Sequence, residues 1–216
     1  PFTTSSLQQE AARKLKFTVS KTMRLAQSLY EHGLITYMRT DSVNLSTLAL
    51  ATSKEVIAQK YGKEYVHTRQ FHTKAKGAQE AHEAIRPTYM STLNAGASRD
   101  EQRLYELIWK RTIASQMAEA ESEKTTIEVS VHGSKYAFVA MGEVILFDGF
   151  TRVYVQSTDE EAEERRILPA MAQRERLKLV NAEAIQTYAK PPFRYNDATL
   201  VKRMEELGIG RPSTYA

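Results

Sequence analysis

Over the first half of the chain, apolar positions recur with a helical period. Ser5-Ser6-Leu7-Gln8-Gln9 reads as a capped helix start, and Leu7, Ala11 and Leu15 then share a face. Lys16-Phe17-Thr18-Val19 breaks the period. A second helix is predicted from about Ser20 to His32, with Met23, Ala26, Leu29 and Tyr30 inward and Gly33 as its stop. Leu34 to Arg39 is rich in strand formers and too short for a separate helix. A third helix follows Asn44-Leu45-Ser46 and ends near Gly62. Ala78 to Arg86 reads as helix stopped by Pro87. A long helix is expected from about Asp100 to Glu121, carrying Leu104, Leu107, Ile108, Ile113 and Met117.

The period then changes to two. Thr125 to Val131 alternates as a strand, His132-Gly133-Ser134 reads as a turn, and Tyr136 to Met141 as the hairpin partner. Val144 to Val155 suggests a further strand region broken at Asp148-Gly149. Asp159 to Arg166 is a charge run, read as a solvated loop. Leu177 to Tyr188 reads as strand with turns, Pro191-Pro192 marks a boundary, and Asp197 to Leu207 is a helix stopped by Gly208.

These elements give an α+β, multidomain expectation. A helical module at about 1–121 is followed by an incomplete β-rich module at 122–189 and the start of a helical unit at 190–216. Two helices around a short break, then a strand, suit a winged-helix type of helix-turn-helix. The β-rich module is small, so its strands are expected to need partners from further chain.

Composition adjusts this picture in three places. Among 216 residues there is no cysteine, which removes disulfides, thiolate metal sites and cysteine nucleophiles together. No apolar run approaches the roughly 20 residues of a membrane span. The net charge of +4 is uneven: residues 1–90 hold 13 Lys and Arg against 7 Asp and Glu, and residues 91–216 hold 17 against 19. A basic first part favours a polyanionic partner there, although a solvated helical surface has the same signature.

Three segments could carry chemistry. In Gly33-Leu34-Ile35-Thr36-Tyr37-Met38-Arg39-Thr40-Asp41-Ser42, strand spacing points Tyr37 and Arg39 the same way, with Ile35 beside them. A phenol with a pKa near ~10 is a poor nucleophile unless cations favour its phenolate. An arginine on the same face can do this and can also hold a phosphate by its planar fork. In Ala78-Gln79-Glu80-Ala81-His82-Glu83-Ala84-Ile85-Arg86-Pro87, a helix sets His82 and Arg86 on one face with Gln79 alongside, and His82 can serve a phosphate oxygen or pass a proton. The same pattern describes a capped surface helix with ordinary ion pairs. Arg86 stands where a metalloprotease signature requires a second histidine, and the scattered histidines suggest no metal cluster. In Gly208-Ile209-Gly210-Arg211-Pro212-Ser213-Thr214-Tyr215, Arg211, Ser213 and Thr214 offer a cation and two hydroxyls suited to a phosphate, or else a plain helix-turn-helix corner.

These three stretches, in this order, resemble signature segments of bacterial type IA DNA topoisomerase I. Pro1 to Ala11 and Leu104 to Ala118 resemble that family as well, so the likeness covers essentially the whole chain. The resemblance implies an ATP-independent enzyme that cleaves and rejoins one DNA strand through a 5′-phosphotyrosine link and relaxes negative supercoils. It implies that Tyr37 is the nucleophile, that Arg39 positions the scissile phosphate and that His82 contacts phosphate. It puts Arg86, Arg211, Ser213 and Thr214 among DNA-binding residues. It also implies single-stranded DNA as partner, a cytoplasmic, nucleoid-associated monomer, and a Toprim domain elsewhere in the chain holding Mg²⁺ and an assisting lysine. Nothing in these residues matches that domain, no metal site is expected among them, and the chain is read as a piece of a longer protein. The competing expectation is a non-catalytic winged-helix DNA-binding protein. Replication-initiator nucleases need two histidines around one hydrophobic residue, which does not occur here, and tyrosine recombinases place the nucleophile after their His and Arg elements.

Overall fold

The computed structural model describes residues 1–72, 82–155, 167–189, 191 and 193–215. Their contacts divide the chain into two compact units. One comprises Pro1–Glu121, Phe147–Glu161 and Tyr195–Ala216, and the other Ser122–Leu146 and Ala162–Arg194.

The first unit is helical. Helix α1 (Thr4–Glu10) starts on a capping box of Thr3 and Ser6, and continues as a π-helical turn, Ala11–Leu15. That turn ends at Lys16, whose φ of 60° reverses the chain in the expected break. Helix α2 (Val19–Glu31) is capped by Thr18 and stopped by Gly33 at φ 67°, a conformation that glycine adopts without strain. Helix α3 (Thr47–Lys60) is capped by Ser46, and α4 (Arg99–Ser115) by a Ser98–Glu101 capping box. Leu104, Leu107, Ile108, Ile113 and Met117 are all buried. Each fully buried large apolar side chain contributes about 1.5–3 kcal/mol, so α4 is the spine of this core. It ends at Ser115, short of the expected Glu121, because Met117 leaves the helix to form a bridge with Val66.

Between residues 34 and 86, two predicted elements differ. Residues 82–86 are extended, not helical, and the remainder of that predicted helix lies outside the described residues. The pre-proline position of Arg86 disfavours α geometry. The segment instead forms the middle of a small three-way pairing. Ile85 N–H donates to the Phe2 carbonyl at 2.9 Å, and Thr36 N–H to the Arg86 carbonyl at 2.9 Å. The Leu34–Arg39 stretch likewise makes only the single bridge Ile35–Pro87, not a regular strand. Ile35 is buried while Tyr37 and Arg39 are exposed, so Ile35 does not share their face.

Helix α5 (Asp197–Glu206) is capped by Asn196, and Gly208 at φ 68° follows it. It packs on α1 through buried Ala198 and Val201, and Ser5 donates to Glu205 at 2.6 Å. Residues 195–216 therefore lie in the same unit as α1, where the sequence suggested the start of a further one.

The second unit contains a hairpin of β1 (Glu121–Ser130) and β2 (Ala137–Phe147), longer than the predicted strands but in their places. The chain after Phe147 turns through the 3₁₀ helix Gly149–Arg152 where a strand was expected. Leu177–Tyr188 has no regular structure, and Leu179, Val180, Ile185 and Tyr188 are exposed. A lone segment without a neighbouring strand has nothing to satisfy its backbone as sheet. No described helix is long and apolar enough to cross a membrane.

Candidate active site around Tyr37

Tyr37 sits on a loop that is pinned on both sides by threonine hydroxyls, buried Thr4 and half-buried Thr36. On one side, the Thr36 hydroxyl donates to the Ala84 carbonyl at 2.7 Å and accepts the Arg86 N–H at 2.9 Å. On the other, the Thr4 hydroxyl at the start of α1 donates to the Met38 carbonyl at 2.8 Å and accepts the Thr40 N–H at 2.9 Å. Thr4 is fully buried, and Met38 anchors the loop in the core between exposed Tyr37 and exposed Arg39. The alternation of exposure over 37–40 is the strand-like feature that the sequence predicted, produced by side-chain hydrogen bonds in place of a ladder.

The pairing across Thr36 brings the His82 segment alongside. The Tyr37 and His82 rings stand edge to face, with centroids 5.8 Å apart at 66°. On the Tyr37 ring's contact with α2, Tyr30 lies 5.3 Å away at 69°. Tyr30 was expected inward, but 42% of it is exposed, and nothing in the local pattern distinguished it from a core aromatic. Tyr37 itself is 37% exposed, so the phenol is open to a reactant.

Arg86 is placed differently from the expected i, i+4 neighbour of His82. In extended chain, four residues span about 13 Å. Its guanidinium grips Glu83 through Nε at 3.2 Å and Nη2 at 2.6 Å, and donates from Nη1 to the Pro87 carbonyl at 2.9 Å. Glu83 also accepts the Ser46 N–H at 2.6 Å, which ties this segment to the start of α3. Partial burial pushes the Glu83 carboxyl up, but hydrogen bonds from Arg86 and Ser46 outweigh it and hold the carboxyl below its ordinary value. A cleft of about 530 Å³ opens beside this pairing, lined by Thr36, Arg86, Thr88, Leu48, Val56 and Tyr89.

Arg211, Ser213 and Thr214 are exposed on the turn that follows α5, where Thr214 Oγ1 accepts the Arg211 N–H at 2.9 Å. Next to them, burial raises the Tyr215 phenol, helped by the carboxylates of Glu205 and Asp41. Helix α5, which this turn follows, packs on α1, and α1 also carries the Thr4 that holds the Tyr37 loop. Gln79 lies outside the described residues. Among the described residues, no group of three or more His, Asp or Glu side chains is arranged to hold a metal ion.

Residues 1–216 match a family model described as DNA topoisomerase. The chain belongs to the DNA topoisomerase family. It is 53% identical, over its whole length, to DNA topoisomerase 1 of Zymomonas mobilis, and 49% identical to DNA topoisomerase 1 of Rickettsia conorii. It spans 18% and 30% of those two relatives. Among solved structures, full-length topoisomerase I from Thermotoga maritima matches all of this chain with a TM-score of 0.76 at 38% identity, and the match covers 36% of that structure. The mixed helical and small-sheet fold described above is therefore that of part of a bacterial topoisomerase I.

Proposed function

We propose that the longer protein to which this chain belongs is a type IA topoisomerase that cleaves and rejoins one DNA strand through Tyr37. The observation that carries this reading is the exposed Tyr37 ring held edge-on to His82, on a loop locked by Thr4 and Thr36. In the reaction, the Tyr37 phenol oxygen bonds to phosphorus while the bond from phosphorus to the 3′ oxygen breaks. The phenol proton leaves and the released 3′ oxygen gains one, so charge is conserved. One ester replaces another, so no ATP is required, and attack by the 3′ hydroxyl on the link restores the strand. Negative supercoils relax while the link persists.

Arg39 is the cation for the scissile phosphate and His82 a donor to its oxygens. Arg211, Ser213 and Thr214 serve as DNA contacts from the neighbouring turn. Arg86 supports the His82 segment through Glu83, and contact with DNA requires that ion pair to open. The first unit, with α1, the Lys16 turn, α2 and the Ile35–Pro87 bridge in succession, is the winged-helix-like carrier of the tyrosine. Among the described residues no group of three or more His, Asp or Glu side chains is arranged to hold Mg²⁺, and no step here passes through it. We assign it to a Toprim domain in the remainder of the chain, which acts on single-stranded DNA as a cytoplasmic monomer.

The test is covalent trapping. A single-stranded oligonucleotide labelled at its 3′ end is incubated with the full-length protein and denatured, alongside a plasmid relaxation assay. Wild type yields a labelled protein adduct and relaxes plasmid, and Tyr37→Phe loses both while still binding the oligonucleotide. A non-catalytic DNA-binding protein gives no adduct at all. Relaxation that survives Tyr37→Phe refutes the assignment.

A further inference from the structure

The geometry points to Tyr30 as a positioning residue that holds the Tyr37 ring in its reactive orientation without itself contacting DNA; this rests on the reading of Tyr37 as the nucleophile. An exposed tyrosine on a loop ordinarily samples several side-chain wells. Tyr37 instead makes two edge-to-face contacts, with Tyr30 at 5.3 Å and 69° and with His82 at 5.8 Å and 66°. In such pairs the positive rim of one ring meets the negative face of the other, which selects an orientation as well as a distance.

The two supports differ in kind. His82 carries ring nitrogens that can serve phosphate, whereas the Tyr30 ring meets Tyr37 as an aromatic surface. Tyr30 is also mounted on a fixed base. It occupies the last turn of α2, where Ser28 donates at 2.6 Å to Glu101 of the α4 cap. The chain then runs directly into the Tyr37 loop. Gly33 N–H donates to the Tyr30 carbonyl at 2.8 Å and Leu34 N–H to the Leu29 carbonyl at 2.9 Å. Helix end and loop are thus one hydrogen-bonded piece, and the Tyr30 ring transmits the position of α2 to the Tyr37 phenol. Tyr30 is 42% exposed and lies outside the buried core, with its ring against Tyr37. Pre-orienting a nucleophile accelerates the chemical step and leaves ground-state binding unchanged.

The experiment uses single-turnover cleavage of a 3′-labelled single-stranded oligonucleotide by the full-length protein, with the oligonucleotide Kd and the melting temperature measured in parallel. Tyr30→Ala and Tyr30→Leu are expected to slow cleavage at saturating DNA by about three- to tenfold, the worth of one aromatic pair, with Kd unchanged. Tyr30→Phe, which keeps the ring, is expected to recover most of the rate. If Tyr30→Ala melts too early to assay, the comparison of Tyr30→Leu with Tyr30→Phe carries the same information. An unchanged rate in Tyr30→Leu overturns the proposal, and so does a loss confined to Kd, because the ring then binds DNA. Tyr37→Phe separates the two levels. If it still cleaves, the nucleophile assignment fails and takes Tyr30 with it; if it is dead while Tyr30→Leu is unimpaired, only the Tyr30 proposal fails.

Discussion

The Tyr37 ring is held by its mounting, and that mounting rests on threonines. Thr36 Oγ1 donates to one backbone group of the neighbouring segment and accepts from another, so this hydroxyl adds two hydrogen bonds to the backbone pairing that brings the Tyr37 and His82 segments together. Replacing it with valine keeps the shape but leaves the Arg86 N–H and the Ala84 carbonyl without that partner, at a cost of about 1–3 kcal/mol. Thr36→Val is therefore expected to lower the unfolding midpoint and to slow cleavage in the full-length protein, with Thr36→Ser recovering most of both. Wild-type stability and rate in Thr36→Val would show that the bridge at Ile35–Pro87 suffices without the hydroxyl. The candidate nucleophile, its arginine and its histidine were legible in the sequence because their residue types are chemically distinctive and their segments carry a family likeness. Thr4 and Thr36 were not. A hydroxyl that bonds to backbone 34 or 48 residues away leaves no local pattern, and neither does an aromatic contact such as Tyr30–Tyr37.

At the scale of elements, the helices were readable where a 3.6-residue apolar stripe ran along them, as in α2 and α4, and α3 was readable from its Asn44-Leu45-Ser46 start and Gly62 end. The segment at 82–86 was misread as helix because its extended form depends on pairing with Phe2 and Thr36, both remote in sequence. The α4 cap shows how one side chain serves several elements. Glu101 accepts from the Ser28 hydroxyl at 2.6 Å and from the Ser98 and Ala97 N–H groups at 2.8 and 2.9 Å. The Ser28 hydrogen bond, followed by that from the Ser98 backbone, holds its carboxyl below the ordinary value. A depressed folded-state pKa means the ionised form favours the fold. This contribution is present above the ordinary glutamate value and is lost as the pH falls through the lower folded value. Glu101→Gln is expected to be less stable than wild type at neutral pH and to lose less on acidification, as followed by helical circular dichroism. Equal acid losses in the two proteins would remove Glu101 from this account.

Across the whole molecule, the first unit buries its apolar stripes within itself, while the second leaves Tyr136, Phe138, Met141 and Leu146 of the hairpin exposed, with Leu179 and Val180 beyond it. The strand expected at 177–188 is not formed, because alternation specifies a face but not the neighbour that must cover it. The chain spans 18% and 30% of the length of the two curated relatives described above, and the proposed reaction would be divided between these residues and the rest of the longer protein. Strand cleavage depends on positioning and charge stabilisation around the phosphate. In the proposed reading Tyr37, Arg39 and His82 serve that phosphate, and among the described residues no group of three or more His, Asp or Glu side chains is arranged to hold a metal ion. Residues 1–216 in isolation are therefore expected to bind single-stranded DNA weakly through the basic first 90 residues, with affinity falling steeply as salt rises, since phosphate contacts release counterions. They are expected not to relax plasmid. Titrating a labelled oligonucleotide at several salt concentrations and running the plasmid assay with Mg²⁺ measures both. Relaxation by this chain that disappears in Tyr37→Phe would mean that the essential chemistry lies within these residues after all, and salt-independent binding would move the DNA contact from phosphates to bases.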